Sequence, residues 1–411
     1  VEFFATPANA DLVDRLIATD AEVLIALTNS DEVNMLACEV AYTLYRTPTK
    51  IARIRSAEYT SNPRLFSDEA LSVDVWISPE QLVTEYVERL IRYPGALQVL
   101  TFAAGRLRLV GVRAGGSAPL VGHPIRMLRD HLPDVEVRVV AVYRDGRSLE
   151  PGAELVLKED DEVFFLAERD QVRRVMSELR KEDNPAKRVV IAGGGSIGFR
   201  LARMLEKTHH VKVIERDPKR ARHISEVLEH AIVLHGDAAD EELLIEENID
   251  SADVFAALTN SEEANILSAM LAKRLGAAKV MALINKPSYA ELMESGSIDV
   301  AISPQSVTIG SLLAHVRRGD IVRVHSLKHG AAEAMEAIAH SEGGRSRVVG
   351  VAVGEIALPD GARIGAIVRD QKVIMTQDNT VVEEGDHVII FLADRRHVEQ
   401  VERLFMTATP R

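Results

Sequence analysis

Cysteine is nearly absent: Cys38 is the only one in 411 residues. No disulfide can therefore form within the chain, and a reducing, cytoplasmic setting is expected. Cys38 sits in NMLACEVAYTLY, an apolar pattern of helical period, which points to a packed side chain rather than a reactive thiol. Long apolar runs are missing too. Nothing approaches the roughly 18 uninterrupted apolar residues that cross a bilayer, and the opening residues do not read as a signal peptide, so no direct membrane insertion is expected. Positive charge is the third shortage: 49 Lys and Arg stand against 62 Asp and Glu, a formal charge of -13. A sequence-independent grip on nucleic acid needs cations to neutralise phosphates, so nucleic acid is not the expected partner. An anionic ligand would have to be met by a local device.

What is present is largely written twice. ALTNSDEVN (26–34) and ALTNSEEAN (257–265) differ at two of nine positions and lie 231 apart (257 minus 26). The similarity extends outward. DAEVLIALTNSDEVNMLACEVA (20–41) parallels SADVFAALTNSEEANILSAMLA (251–272), KIARIRSAEY (50–59) parallels KVMALINKPSY (279–289), and DVWISPEQLV (74–83) parallels DVAISPQSVT (299–308). Each set reads as strand, polar turn, amphipathic helix, second strand, and a short strand meeting Ser-Pro where a long helix begins. Pro79 and Pro304 suit a first helical turn, which tolerates the missing N–H.

After those helices, at Pro94-Gly95 and Arg318-Gly319, a smaller unit follows in each half. Residues 137–179 match VVGVAVGEI and then 364–405, with alternating apolar strands, acidic turns at Asp160-Asp161 and Gly385-Asp386, a buried strand and a closing helix. The charged run RKEDNPAKR (180–188) reads as a solvated linker. Strands alternating with helices imply right-handed crossovers and parallel sheets. The expected fold is therefore α/β: two tandem Rossmann-like domains, at 1–94 and 185–318, each followed by a small α+β domain of βαβ type, at 95–180 and 319–411.

One motif carries chemistry. A strand at 189–192 runs into Gly193-Gly194-Gly195-Ser196-Ile197-Gly198, then a helix, then a strand at 211–214 ending in Glu215. This is G-x-G-x-x-G in the context that gives it meaning. Gly193 permits the tight turn, Gly195 lets backbone N–H groups approach a pyrophosphate, and Gly198 lets helix and sheet pack closely. The helix N-terminus offers partial positive charge, which is how an acidic protein can hold such an anion. Glu215 stands 22 positions after Gly193 (215 minus 193), close to the spacing of about 20 expected of an acid on ribose hydroxyls. Asp237-Ala238 end a third strand, where an adenine ring would lie, and Thr259-Asn260 end a fourth, at the crevice of an open parallel sheet. Thr259-Asn260 also suit a helix cap. Arg216, Lys219 and Arg220 could face a phosphate or simply be solvated.

The first half opens with residues matching the third strand, so its glycine loop and ribose acid are not in the sequence. The first Rossmann-like domain is expected to be incomplete at its N-terminus unless a partner chain fills it. An NAD-dependent oxidoreductase would need a proton donor or metal beside the nicotinamide. No Tyr-x-x-x-Lys pair and no Walker lysine occur, and the 13 histidines form no compact ligand set, His209-His210 and His325 with His329 included. No catalytic residue and no metal site are expected.

The order of glycine loop, ribose acid, GDA, ALTN, Ile-Ser-Pro helix and small terminal unit resembles the regulator-of-potassium-conductance domain. Its duplication, with IARIRSAEY, ERLIRYPGALQV, EENIDSADVFAALTN and AHVRRGDIVRVHSLKHGAAEAMEAIAH, is similar to the peripheral nucleotide-binding subunits of bacterial Trk potassium uptake systems over essentially the whole chain. The resemblance implies a cytoplasmic, peripheral regulatory subunit that self-associates into a ring of four double-domain subunits beneath a membrane potassium transporter. It implies binding of NAD(H) and of ATP or ADP, without turnover, at Gly193, Gly194, Gly195, Ser196, Ile197, Glu215, Asp237, Thr259 and Asn260. In the first half Thr28, Asn29 and Arg53 remain. Ser196 stands where some relatives carry an arginine that reaches a neighbouring subunit's phosphates, and Arg53 has Leu283 as its repeat counterpart.

Overall fold

The computed structural model describes residues 21–67, 70–180, 185–286, 288–289, 297–316, 320–327, 331–341 and 347–406. Positions 181–184 of the expected linker, Arg318-Gly319 and His329 lie outside them. The chain divides into two compact units, Val1–Val83 and Thr84–Arg411.

In the first unit β1 (Val23–Ala26), α1 (Asp31–Tyr45), β2 (Thr49–Arg53), α2 (Ala57–Thr60) and β3 (Val75–Ile77) follow in order, and α3 (Pro79–Arg92) starts from it. The strands form a parallel sheet in the order β1-β2-β3. The Ser30 hydroxyl accepts from Val33 N to cap α1, and Arg46 ends it in the left-handed conformation (φ 52°). Met35, Cys38 and Ala41 form the buried stripe of α1. Burial pushes the Cys38 thiol up to about 12, so it stays a protonated packing residue.

Among the described residues the second unit holds three sheets. The first small domain has β4 (Ala96–Phe102), β5 (Leu107–Arg113), α4 (Met127–His131), β6 (Val137–Arg144), β7 (Arg147–Leu149), β8 (Glu162–Glu168) and α5 (Val172–Leu179). The sheet order is β4-β5-β8-β6-β7 with antiparallel neighbours. Because β5 and β6 both oppose β8, they run the same way, joined through α4 as a split βαβ unit.

The second Rossmann-like domain comprises β9 (Arg188–Ala192), α6 (Ser196–Leu205), β10 (His210–Glu215), α7 (Pro218–Val227), β11 (Ile232–His235), α8 (Glu241–Glu246), β12 (Val254–Ala257), α9 (Glu262–Arg274), β13 (Lys279–Leu283), β14 (Val300–Ile302) and α10 (Pro304–Val316). Its six parallel strands run β11-β10-β9-β12-β13-β14. Counted within the domain this is 3-2-1-4-5-6, the doubly wound order whose switch point falls between β9 and β12. Apart from the exposed Arg188 that opens β9, both strands at the switch point are apolar and buried, as expected of a sheet covered on both faces.

The second small domain repeats the first: β15 (Ile321–Leu327), β16 (Ala332–Ile338), β17 (Ala362–Arg369), β18 (Lys372–Met375), β19 (His387–Leu392) and α11 (Val398–Leu404), in the order β15-β16-β19-β17-β18. The acidic turns have one physical role in both copies. Asp161 and Asp386 are fully buried. Asp161 takes two hydrogen bonds from the Arg144 guanidinium at 2.7 and 2.8 Å, and Asp386 takes two from Arg369 at 2.9 and 2.8 Å. One expectation fails here. VVGVAVGEI (348–356) does not pair as a strand of the sheet. It makes one isolated bridge, Ala352 to Val381, and a single helical turn at Val353–Glu355. Gly350, at φ 80°, breaks the extended run that its alternation suggested. The spatial repeat instead includes β4-β5 and β15-β16, upstream of the matched segments.

Candidate functional site

Where β9 ends at the switch point, three glycines do three different jobs. Gly193 has φ 101°, and a Cβ there would lie 3.0 Å from both Thr259 N and Thr259 Cγ2. Gly198 faces the loop so closely that a Cβ would fall 1.9 Å from Gly193 O. Gly195 is the opposite case, since a Cβ there meets nothing within 4 Å. The first and third glycines are required by the fold; the second is not. Gly195 faces open space at the first turn of α6, which is where a diphosphate must approach backbone N–H groups. Gly195 offers α6 no side-chain cap, whereas α7, α8 and α9 are capped by Asp217, Asp240 and Ser261. The α6 amides are thus left for another acceptor. Ser196 is exposed at the start of that helix, and Ile197 is half-buried behind it.

Glu215 ends β10 beside this loop. Its Oε2 accepts from Gly194 N at 2.7 Å and its Oε1 from Asp217 N at 2.8 Å. A carboxylate has about four acceptor positions, so two fixed N–H contacts orient it while leaving capacity for hydroxyl donors. Arg220 donates through Nε to Gly194 O at 2.9 Å and packs over Phe199. The sequence left Arg220 open between phosphate contact and solvation; it braces the loop. Arg216 is exposed, and its carbonyl lies 3.2 Å from His235 Nε2. Asp237 accepts from Ala239 N at 2.9 Å in the turn after β11, with Ala238 packed against the core below.

Thr259 and Asn260 part company. Thr259 N and Oγ1 both donate to Asn265 Oδ1, at 2.8 and 2.7 Å, and Asn265 Nδ2 donates to Thr259 O and Leu283 O, each at 3.1 Å. Asn265 is 1% exposed, so this amide ties the end of β12 to the end of β13 and presses Thr259 onto Gly193. Asn260 is exposed. Neither residue caps α9: Ser261 does, with its hydroxyl accepting from Ala264 N. In the first unit Thr28 and Asn34 repeat the bracket, at 2.8 and 2.7 Å, with Asn34 Nδ2 reaching Thr28 O and Arg53 O. Asn29 is exposed, and its carbonyl accepts from Arg55. The Arg53 guanidinium pairs with Glu80 at 3.1 Å, so its cation is already engaged within the fold. Asn34 and Asn265 were missed as site residues, although they are the last letters of the repeated nonapeptides.

Among the described residues no group of three or more His, Cys, Asp or Glu could hold a metal ion, and no helix is long and apolar enough to cross a membrane. His325 packs edge-on to Phe102 with ring centroids 5.1 Å apart, and Nε2 lies 3.2 Å from Thr101 O. It is a packing residue.

A family model described as the TrkA-N domain matches residues 3–79 and 189–304, and one described as the TrkA-C domain matches 109–180 and 345–406. The chain is 56% identical over 386 residues to the Trk system potassium uptake protein TrkA of Halomonas elongata, covering 94% of this chain and 84% of that one. It is 53% identical to the protein of the same name from Vibrio alginolyticus, covering 97% and 87%. Among solved structures, the GsuK channel bound to NAD aligns with a TM-score of 0.56 at 20% identity, covering 98% of this chain and 70% of that one. The GsuK RCK domain gives the same TM-score at 19% identity, covering 98% and 84%. At these identities the structural likeness speaks for the fold.

Proposed function

This chain belongs to the TrkA family, and on that premise we propose that it is a nucleotide-binding regulatory subunit of a Trk-type potassium uptake system that senses NAD(H) without turning it over. The observation that carries the reading is the division of labour in the glycine loop: Gly193 and Gly198 are forced by packing, while Gly195 opens onto free space at an uncapped helix start. The α6 amides and the loop from Gly193 to Gly198 hold the pyrophosphate. Glu215 holds the ribose hydroxyls with Arg216 alongside, Asp237-Ala238 border the adenine, and Thr259-Asn260 border the remaining half of the ligand. ATP and ADP share the adenine, ribose and diphosphate groups and compete for the same residues. A neighbour of the same fold solved with NAD bound is in keeping with this.

Thr28, Asn29 and Arg53 mark the corresponding crevice of the first unit, with Arg53 held by Glu80. The four-domain division at 94/95, 180/185 and 318/319 accompanies this reading, as does a ring of four double-domain subunits on the cytoplasmic face of the membrane transporter. The ligand acts by population shift: it changes gating only through different affinities for two ring conformations.

Calorimetry with NADH, NADPH, ATP and ADP tests the site. NADH is expected to bind at least about tenfold tighter than NADPH, because the Glu215 carboxylate repels a 2′-phosphate; equal affinities would remove Glu215 from the ribose. Prolonged incubation with NADH and candidate substrates should leave the nucleotide intact. Oxidation that disappears in Glu215→Ala would make the chain a soluble NAD-dependent oxidoreductase instead.

A further inference from the structure

Lys279 opens β13 and is 6% exposed. By strand register its counterpart in the first unit is Thr49, which opens β2, while Lys50 matches Val280: Asp74 accepts from Lys50 N as Asp299 does from Val280 N. Lys50 closes on its own surroundings, with Nζ 2.7 Å from Asp74 Oδ2 and 3.2 Å from Thr47 O. In the second copy the equivalent carboxylate, Asp299, takes Lys273 Nζ at 2.9 and 2.8 Å and Val280 N at 2.7 Å. Lys279 Nζ donates to Leu90 O at 3.3 Å and Ala96 O at 2.8 Å. Those carbonyls belong to the last turn of α3 and the first residue of β4. A cation at a helix C-terminus is favoured by the helix dipole and by the unpaired final carbonyls.

We propose that Lys279 is the latch through which the second nucleotide domain holds the end of α3, so that the state of the glycine loop is felt there. This rests on the nucleotide reading above for its trigger, while the latch itself rests on geometry. A continuous polar and covalent path joins the two. Gly193 abuts Thr259, Thr259 is clamped by Asn265, Asn265 Nδ2 holds Leu283 O, and β13 runs from Leu283 back to Lys279. A cavity of about 170 Å³ lies beside the latch, lined by Pro94, Gly95, Ala96, Lys279, Asp299 and Arg180 among others. Beside that cavity, directed hydrogen bonds contribute to the relative position of the parts.

Hydrogen exchange on the full chain, with and without saturating NADH, tests the latch in wild type, Lys279→Met and Lys279→Arg. Methionine keeps the length of the stem and removes the donors. The expected result is exchange about tenfold faster across residues 84–97 in Lys279→Met, partial recovery in Lys279→Arg, and NADH affinity within about twofold of wild type. NADH should slow exchange at 193–199 in all three proteins but alter 84–97 only where a donor remains. Unchanged exchange at 84–97 in Lys279→Met overturns the latch whatever NADH does. A response to NADH at 193–199 with none at 84–97 in wild type overturns the coupling and spares the nucleotide site. Absence of any NADH effect at 193–199 overturns the nucleotide reading, and the latch is then judged on the Lys279→Met rates alone.

Discussion

Thr28 and Thr259 are held by Asn34 and Asn265 at the same distances, 2.8 Å to the backbone N and 2.7 Å to the hydroxyl. Their strands nevertheless differ. All four residues of β12 are buried, whereas in β1 only Ala26 is, and Ile25 and Leu27 are 39% and 45% exposed. β12 lies between β9 and β13, while among the described residues β1 pairs only with β2. The bracket is a local structure, formed by residues six apart, and it survives in either setting. A ligand site needs more. In the second copy β9 delivers a glycine loop against Thr259, and that juxtaposition turns a strand-end bracket into one wall of a crevice.

The small domains show the converse, a device repeated in both halves, to which the second adds a pair between Arg369 and Glu383. Asp161 and Asp386 each anchor an arginine that is about one quarter exposed, and each also accepts a backbone N–H three residues earlier, from Lys158 and Glu383. Removing either carboxylate takes the buried anion from a largely buried guanidinium and an acceptor from an amide, while Arg369 keeps its pair with Glu383 and each arginine keeps one carbonyl. Asp161→Ala and Asp386→Ala should each cost about 3 kcal/mol, the lower end for breaking a buried pair because the arginine can still reach water. Urea unfolding of the two variants would show it. A difference of more than about 1 kcal/mol between them would mean that the two copies are not equivalent in energy.

The next test should separate the halves. Gly195→Val places a side chain in open space but puts a poor residue at the N-cap of α6, so folding stability should fall by no more than about 1 kcal/mol. NADH affinity should fall at least a hundredfold, about 2.7 kcal/mol, as the side chain takes the pyrophosphate's place. Calorimetry showing unchanged affinity would refute the site; a large loss of stability would mean that Gly195, like Gly193 and Gly198, serves packing.

The glycine loop and Glu215 were legible because their chemistry is contiguous: the spacing of the motif encodes strand, turn and helix directly. Asn265 was not, because an amide in the first turn of an amphipathic helix reads as solvated until the neighbouring strand end is placed beside it. Arg144 and Asp161 are 17 positions apart, and no local pattern pairs them. VVGVAVGEI misled through its alternation, which Gly350 overrides. Lys279 was least legible of all, since its partners lie 183 and 189 positions away.

The smallest expected effect concerns a position where the repeats disagree outright. In β4 Leu100 pairs across to Leu109, and in β15 His325 pairs across to Ala334. Burial lowers the His325 imidazole from 6.5 to about 3, with the neighbouring Arg323 and Arg89 cations acting in the same direction. The unfolded chain takes up a proton below pH 6.5 while the folded joint refuses it until about pH 3. Stability from this group is therefore complete above pH 6.5 and is lost as pH falls through that window. An ideal buried site would lose about 2 kcal/mol by pH 5; part of the residue's surface reaches solvent, so about 1 kcal/mol is expected. His325→Leu makes β15 resemble β4 and should flatten the stability curve between pH 7 and 5 by that amount. Unfolding midpoints that fall equally steeply in wild type and variant would show that His325 is not the source of the acid sensitivity of this joint.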